Sequence, residues 1–223
     1  MKHKLAWLEA ALLAAPFLVL LAIWRELPAR IPIHWNLAGE VDRWSGDRFS
    51  ILGLPLLSVG VVVLCHFLPR LDPKLRTAPQ EGTRMPTVLK IMRPCFAALF
   101  CVIFALQLAV AFGHSVSATR VFLSSVLLLL AVLGNYLGNL QPNWFIGIRT
   151  PWTLENPATW RATHRLGGRL MFFGSVALLA LQFIVVERTF GFLFVAGILS
   201  LTVWGFLYSW NDFRTRRTAD RVC

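Results

Sequence analysis

Six long apolar stretches, separated by shorter polar ones, set the pattern of the chain. They run from Leu5 to Trp24, Ser50 to Pro69, Pro94 to Gly113, Val121 to Gly138, Gly167 to Val186 and Phe190 to Trp210. Each approaches the roughly 20 residues that a helix needs to cross hydrocarbon. In a bilayer only helices or closed barrels satisfy every backbone group, and these runs are too long and too uniformly apolar for barrel strands. The pattern predicts an all-α polytopic membrane protein, a bundle of six transmembrane helices. The first stretch follows a basic Met1-Lys2-His3-Lys4, as in a signal peptide. Its apolar run is too long for one and no small-residue cleavage site follows, so it reads as a retained anchor.

Composition points the same way. Hydrophobic residues make up 57% of the 223 and charged residues 15%, against roughly 25% charged in a soluble domain. Mean hydropathy is +0.63. A soluble chain would expose large apolar patches, so a soluble domain and a disordered one are both excluded. The net charge of +11 would suggest nucleic acid on a soluble protein. Here lysine and arginine first decide orientation. With the N-terminus inside, sixteen fall on cytoplasmic segments and six (Arg25, Arg30, Arg43, Arg48, Arg120 and Arg188) on outer ones. Both termini are therefore predicted to be cytoplasmic. The positive charge serves topology and attraction to anionic membrane lipids, and no direct nucleic acid binding is needed. Cys65, Cys95, Cys101 and Cys223 all avoid the outer loops, so no disulfide framework is expected.

These spans divide the chain into a first helical hairpin (1–69) with an outer loop (25–49), a cytoplasmic linker (70–93) and a four-helix region (94–223). The linker carries Pro73, Pro79 and Pro86 and reads as a flexible tether. The last region holds a cytoplasmic loop (139–166) and a basic tail.

In the outer loop, Ile31, Ile33 and Trp35 alternate with Pro32, His34 and Asn36, a short extended segment with one polar face. Gly39 offers a turn, and Trp35 and Trp44 suit the headgroup layer, so the loop reads as a lid on the membrane. His34, Asn36, Glu40 and Asp42 form either a recognition surface or the caps of a self-contained loop.

The inner loop offers a similar choice. Asn156-Pro157 reads as a helix start, with Asn as cap and Pro in the first helical position. Trp160 and His164 share a face, with Gly167 or Gly168 one turn on. Gly147-Ile-Arg149-Thr150-Pro151-Trp152 is a compact turn whose Arg149 needs an acceptor, with Glu155 nearby. Asn143, Arg149 and His164 either clamp an anionic group or partner, or belong to a structural plug with Trp144, Trp152 and Trp160 as interface anchors.

Within the spans, Glu9 lies shallow enough to pair with Lys2 or Lys4 or to reach the headgroups. Gln107, Asn135 and Gln182 read as hydrogen-bond partners between helices. Gly134 and Gly138 make a GxxxG pattern that favours close helix packing. No nucleophile–base pair, phosphate cradle or metal-ligand spacing stands out, so no enzyme, cofactor or metal is expected.

Two segments carry a family resemblance. Ile31-Pro-Ile-His34-Trp35-Asn36 with Gly39-Glu40-Val41-Asp42-Arg43-Trp44 resembles the outer-loop domain of unknown function that heads many members of the SdpI family of bacterial membrane immunity proteins. Asn143-Trp-Phe-Ile-Gly147-Ile-Arg149-Thr150-Pro151-Trp152-Thr153-Leu154 with Trp160, Thr163, His164, Arg165 and Gly167 resembles that family's inner signature. The resemblance implies a multi-pass protein of the bacterial inner membrane that protects its cell from a secreted antimicrobial peptide toxin. It also implies signal transduction, by holding a cytoplasmic repressor at the membrane. His34, Trp35, Asn36, Gly39, Asp42 and Trp44 would then meet the toxin. Asn143, Gly147, Arg149, Thr150, Pro151, Trp152, Trp160, His164 and Arg165 would serve the partner or the structure. A small transporter or flippase is the alternative, but polar residues at mid-membrane are sparse.

Overall fold

A computed structural model describes residues 2–36, 39–73 and 85–219. Much of the 70–93 linker, including Lys74, Arg76, Pro79 and Arg84, lies outside the described residues, as do Arg221 and Cys223. The helices are α1 (Lys2–Ile23), α2 (Gly53–Leu71), α3 (Met85–Ala111), α4 (Ala118–Leu137), α5 (Pro151–Glu155), α6 (Pro157–Leu181) and α7 (Glu187–Ala219). The protein is an all-α polytopic membrane protein. Among the described residues, five helical stretches are long and apolar enough to cross a membrane: Lys4–Ile23, Arg48–Leu71, Thr87–Ala111, Ala118–Leu137 and Glu187–Ala219. The predicted fifth stretch falls on α6. That helix begins ten residues before Gly167, so polar turns occupy its first half.

A small antiparallel hairpin is added to the helices. Strand β1 (Ile31–Trp35) pairs with β2 (Val41–Ser45). The Asp47 carboxylate then accepts from Phe49 N at 2.9 Å and starts a short 3-10 turn that leads into α2. The alternation of residues 31–36 foreshadows this hairpin.

The linker requires a correction. Residues 85–93 form the first turns of α3. Val88, Leu89 and Met92 are buried there against Cys65, Leu137, Leu140 and Trp160. Pro86, Pro94 and two cations hide this helix in the sequence. A proline inside a membrane helix is tolerated because neighbouring groups satisfy the freed carbonyl.

Helices α4 and α6 run antiparallel and close. Near one end Ser124 Oγ donates to Gln182 Oε1 at 2.6 Å. Near the other, a Cβ on Gly168 would lie 2.6 Å from Gly134 O, and one on Gly134 would lie 2.7 Å from Phe172 N. The backbones thus approach where neither chain carries a side chain, the close packing that the GxxxG pattern favours.

The bundle has two distinct ends. The hairpin shares one with the α3–α4 and α6–α7 turns: at the hairpin tip Gly39 lies against Thr119 of α4 and Glu187 of α7. The other end holds the 139–156 loop, where Trp144 N donates to Asp72 Oδ2 at 2.8 Å and Thr159 Oγ1 donates to Asp212 Oδ2 at 2.8 Å.

Candidate functional site

At the hairpin end, the His34 Nδ1–H donates to Asp42 Oδ1 across the two strands at 2.6 Å. Both side chains are exposed. This hydrogen bond holds the Asp42 carboxyl below the usual carboxylate range. Asn36 and Glu40 close the hairpin through three bonds: Asn36 N to Glu40 O at 2.9 Å, Glu40 N to Asn36 Oδ1 at 3.0 Å, and Asn36 Nδ2 to Glu40 Oε2 at 3.2 Å. Gly39 turns the chain with φ +80°. Trp44 is exposed, whereas the indole nitrogen of Trp35 is buried. The hairpin is held to the bundle from below, where the buried Gln107 of α3 donates Nε2 to Pro32 O at 2.8 Å. Gln107 therefore bonds to the outer loop rather than to another helix. Thus His34, Asn36, Glu40 and Asp42 present polar groups on one anchored hairpin.

At the opposite end the 139–156 loop folds around its own polar side chains. Asn143 is fully buried. Its Nδ2 donates to Gln141 O and Ile146 O, both at 2.9 Å, and its Oδ1 accepts from Phe145 N and Ile146 N at 2.9 and 2.7 Å. All four capacities of the amide are used. His164 is equally buried. Its Nδ1–H donates to Trp160 O at 2.8 Å, so Nε2 is free to accept from Ile148 N at 2.9 Å. Trp160 stacks on the imidazole with ring centroids 3.9 Å apart and donates Nε1 to Leu140 O at 2.8 Å. Desolvation lowers the His164 pKa to about 4, and the ring is neutral at physiological pH.

Gly147 crosses the Nε2 edge of this imidazole with φ +123°. A Cβ there would collide with the His164 ring. Next along, the Ile148 side chain wedges between Gly167 of α6 and Gly205 of α7. Thr150 caps α5 in a reciprocal pair with Thr153 and donates Oγ1 to Ser209 Oγ on α7 at 2.9 Å. Pro151 occupies the first turn of α5, and Trp152 packs edge-on against Phe206 of α7. Asn156 caps α6, accepting from Ala158 N and Thr159 N at 2.8 and 3.1 Å.

This geometry separates the three residues that the sequence groups as a clamp. Asn143 and His164 face inward and bond to backbone. Arg149 is exposed, with neither ion pair nor hydrogen bond among the described residues, and so makes no pair with Glu155. Arg165 is exposed as well, while Trp160 is a core residue rather than an interface anchor. The outward face of the loop carries Trp144, Phe145 and Arg149. Phe145 escapes a sequence reading because an aromatic beside Trp144 looks like core.

One cluster falls outside both motifs. Glu9 on α1 pairs with Arg93 on α3, Oε2 to Nε at 3.1 Å, and not with Lys4. Arg93 also donates to Nδ1 of His66 on α2 at 2.7 Å. Three helices meet at this half-buried charge. Among the described residues no group of three His, Cys, Asp or Glu is arranged to hold a metal ion.

Comparison with known proteins gives a consistent picture. Residues 139–209 match the SdpI/YfhL protein family, and residues 11–59 match a domain of unknown function (DUF1648). The chain is similar to the immunity protein SdpI of Bacillus subtilis (strain 168), with 23% identity over 84% of this chain and 86% of that one. No solved structure matches it significantly. The resemblance read from the two loop motifs is thus shown for both: an SdpI/YfhL-family region in the C-terminal half follows a DUF1648 region at the N-terminal hairpin.

Proposed function

We propose that this multi-pass protein is an immunity and signalling protein of the bacterial inner membrane. Its outer hairpin recognises a secreted peptide toxin, and its inner loop engages a cytoplasmic repressor. The chain crosses the bilayer six times with both termini inside. The antiparallel course of α4 and α6, bonded at Ser124–Gln182 and packed at Gly134–Gly168, supports a sixth crossing.

The observation that carries this reading is the reach of α7. Glu187 at its start lies beside the hairpin tip at Gly39. Further along the same helix, Ser209 and Asp212 bond to Thr150 and Thr159 beside the inner loop. The helical rise from Glu187 to Ser209 is about 33 Å at ~1.5 Å per residue, enough for a hydrocarbon core of about 30 Å. A ligand on the hairpin changes the inner loop only if it binds two arrangements of the bundle with different affinity. Helix α7 is the rigid element that such a difference would move.

His34, Asn36, Asp42 and Trp44 form the toxin-facing surface. On the inner side the accessible partner surface is Arg149 with Trp144 and Phe145, while Asn143, Gly147, Thr150, Trp160 and His164 hold its shape. The transporter alternative has less support, because Gln107 and Gln182 are each held in a hydrogen bond. The test is cellular. His34→Ala and Asp42→Ala should abolish protection against the toxin while the protein stays in the membrane. Arg149→Ala should keep protection and lose repressor recruitment. Full protection in both outer variants rejects the assignment.

A further inference from the structure

We propose that Arg161, Arg165 and Arg169 on α6 form a binding site for the headgroup of an anionic phospholipid, with the acyl chain lying along Phe173 and Val176. This goes beyond toxin recognition and rests only on α6 crossing the membrane. The three arginines recur every four residues, so they form one row about 12 Å long, drifting ~40° per step. All three are exposed, with neither ion pair nor hydrogen bond among the described residues. Among the described residues at this end of the bundle, three acids are engaged elsewhere: Glu9 with Arg93, Asp72 with Trp144 N, and Asp212 with Thr159 and Arg216. Glu155 makes no ion pair with the row.

The adjoining face of α6 holds the buried Trp160, His164, Gly167 and Gly168 that pack against the loop, α4 and α7. The end of α4 reaches the flank of the row, where a Cβ on Gly138 would lie 3.3 Å from Arg165 Cα, and the three arginine side chains stay exposed beyond that contact. Following that bare face toward the hairpin end, the next residues are Phe173, 66% exposed, and Val176, 45% exposed. Charge gives way to bare hydrocarbon surface within one turn on a single face. That order matches one lipid molecule: phosphate at the guanidiniums, chain along the aromatic and aliphatic groups. Guanidinium binds phosphate oxygens through paired donors, and basic positions at a membrane surface favour anionic lipids. A free anion or a soluble acidic partner would leave the apolar continuation unused.

Native mass spectrometry of the full chain in detergent tests this, with dioleoylphosphatidylglycerol, dioleoylphosphatidylcholine and inorganic phosphate as probes. The wild-type chain should retain the glycerol lipid in preference to the choline lipid, with no displacement by inorganic phosphate. Arg165→Gln with Arg169→Gln should lower retention of the glycerol lipid roughly tenfold. A matched loss of two charges, Lys4→Gln with Arg217→Gln, should leave it unchanged. Equal retention of both lipids by the wild-type chain would overturn the proposal whether or not the variants fold. Displacement by inorganic phosphate, unchanged retention in the row variant, or an equal loss in the matched control would each overturn it too.

Discussion

Gly147 lies so close to the imidazole of His164 that no side chain fits between them. The glycine also holds a φ of +123°, which only glycine adopts readily. These two facts make the Gly147–His164 contact the centre of the inner loop. Gly147→Ala should lower stability by about 3 kcal/mol through backbone strain and collision. Gly46→Ala, where a Cβ meets open space, should change it by less than about 0.5 kcal/mol. Thermal unfolding in detergent compares the two.

His164 lies in the polar first half of α6, three residues before the apolar stretch that starts at Gly167, and predicts an acid sensitivity. Its folded pKa is about 4, against 6.5 for an unperturbed histidine. Between those values the unfolded chain binds a proton that the folded chain refuses, so stability rises with pH there. The contribution is complete above about pH 6.5 and falls away as pH drops toward 4. Its full size is on the order of 3 kcal/mol. Unfolding followed from pH 7 to pH 4 should show this slope, and His164→Gln should flatten it. An identical slope in the variant would place the sensitivity elsewhere.

The Glu9–Arg93 pair bridges α1 and α3 with both side chains only 15% exposed. Arg93→Met leaves a carboxylate without its partner in a poorly hydrated place and should destabilise by about 3 kcal/mol. Adding Glu9→Gln should recover most of that loss, because the stranded charge is gone. Additive losses in the double variant would mean that the two residues act independently.

Helices α4 and α6 should be equally intolerant at their crossing. Gly168→Ala puts a Cβ 2.6 Å from Gly134 O, and overpacking of this kind costs about 1–3 kcal/mol. Gly174→Ala on the same helix, with nothing within 4 Å, is the control. A Tm lowered in the first alone confirms the contact.

Much of this fold is legible in the sequence, because a bilayer imposes long apolar runs and each one marks a helix. The Asn156-Pro157 helix start is legible because capping is local chemistry. The Glu9–Arg93 pair is not, since its partners are 84 positions apart and nothing near Glu9 reports on α3. The site is legible as a set of residues but not as a set of roles. A polar side chain in a loop looks the same whether its partner is a ligand or its own backbone. Asn143 and His164 have backbone partners, while Arg149 does not, and only the folded loop separates them.

Everything functional depends on the hairpin and the 139–156 loop lying on opposite sides of the membrane, joined through α7. The direct test is labelling with a membrane-impermeant maleimide in a background with Cys65, Cys95, Cys101 and Cys223 replaced. Cysteines are placed singly at the exposed positions Arg43 and Arg149. The account predicts that Arg43→Cys is labelled in intact cells with the outer envelope opened, and that Arg149→Cys is labelled only after the inner membrane is permeabilised. Labelling of both positions from one side would contradict it.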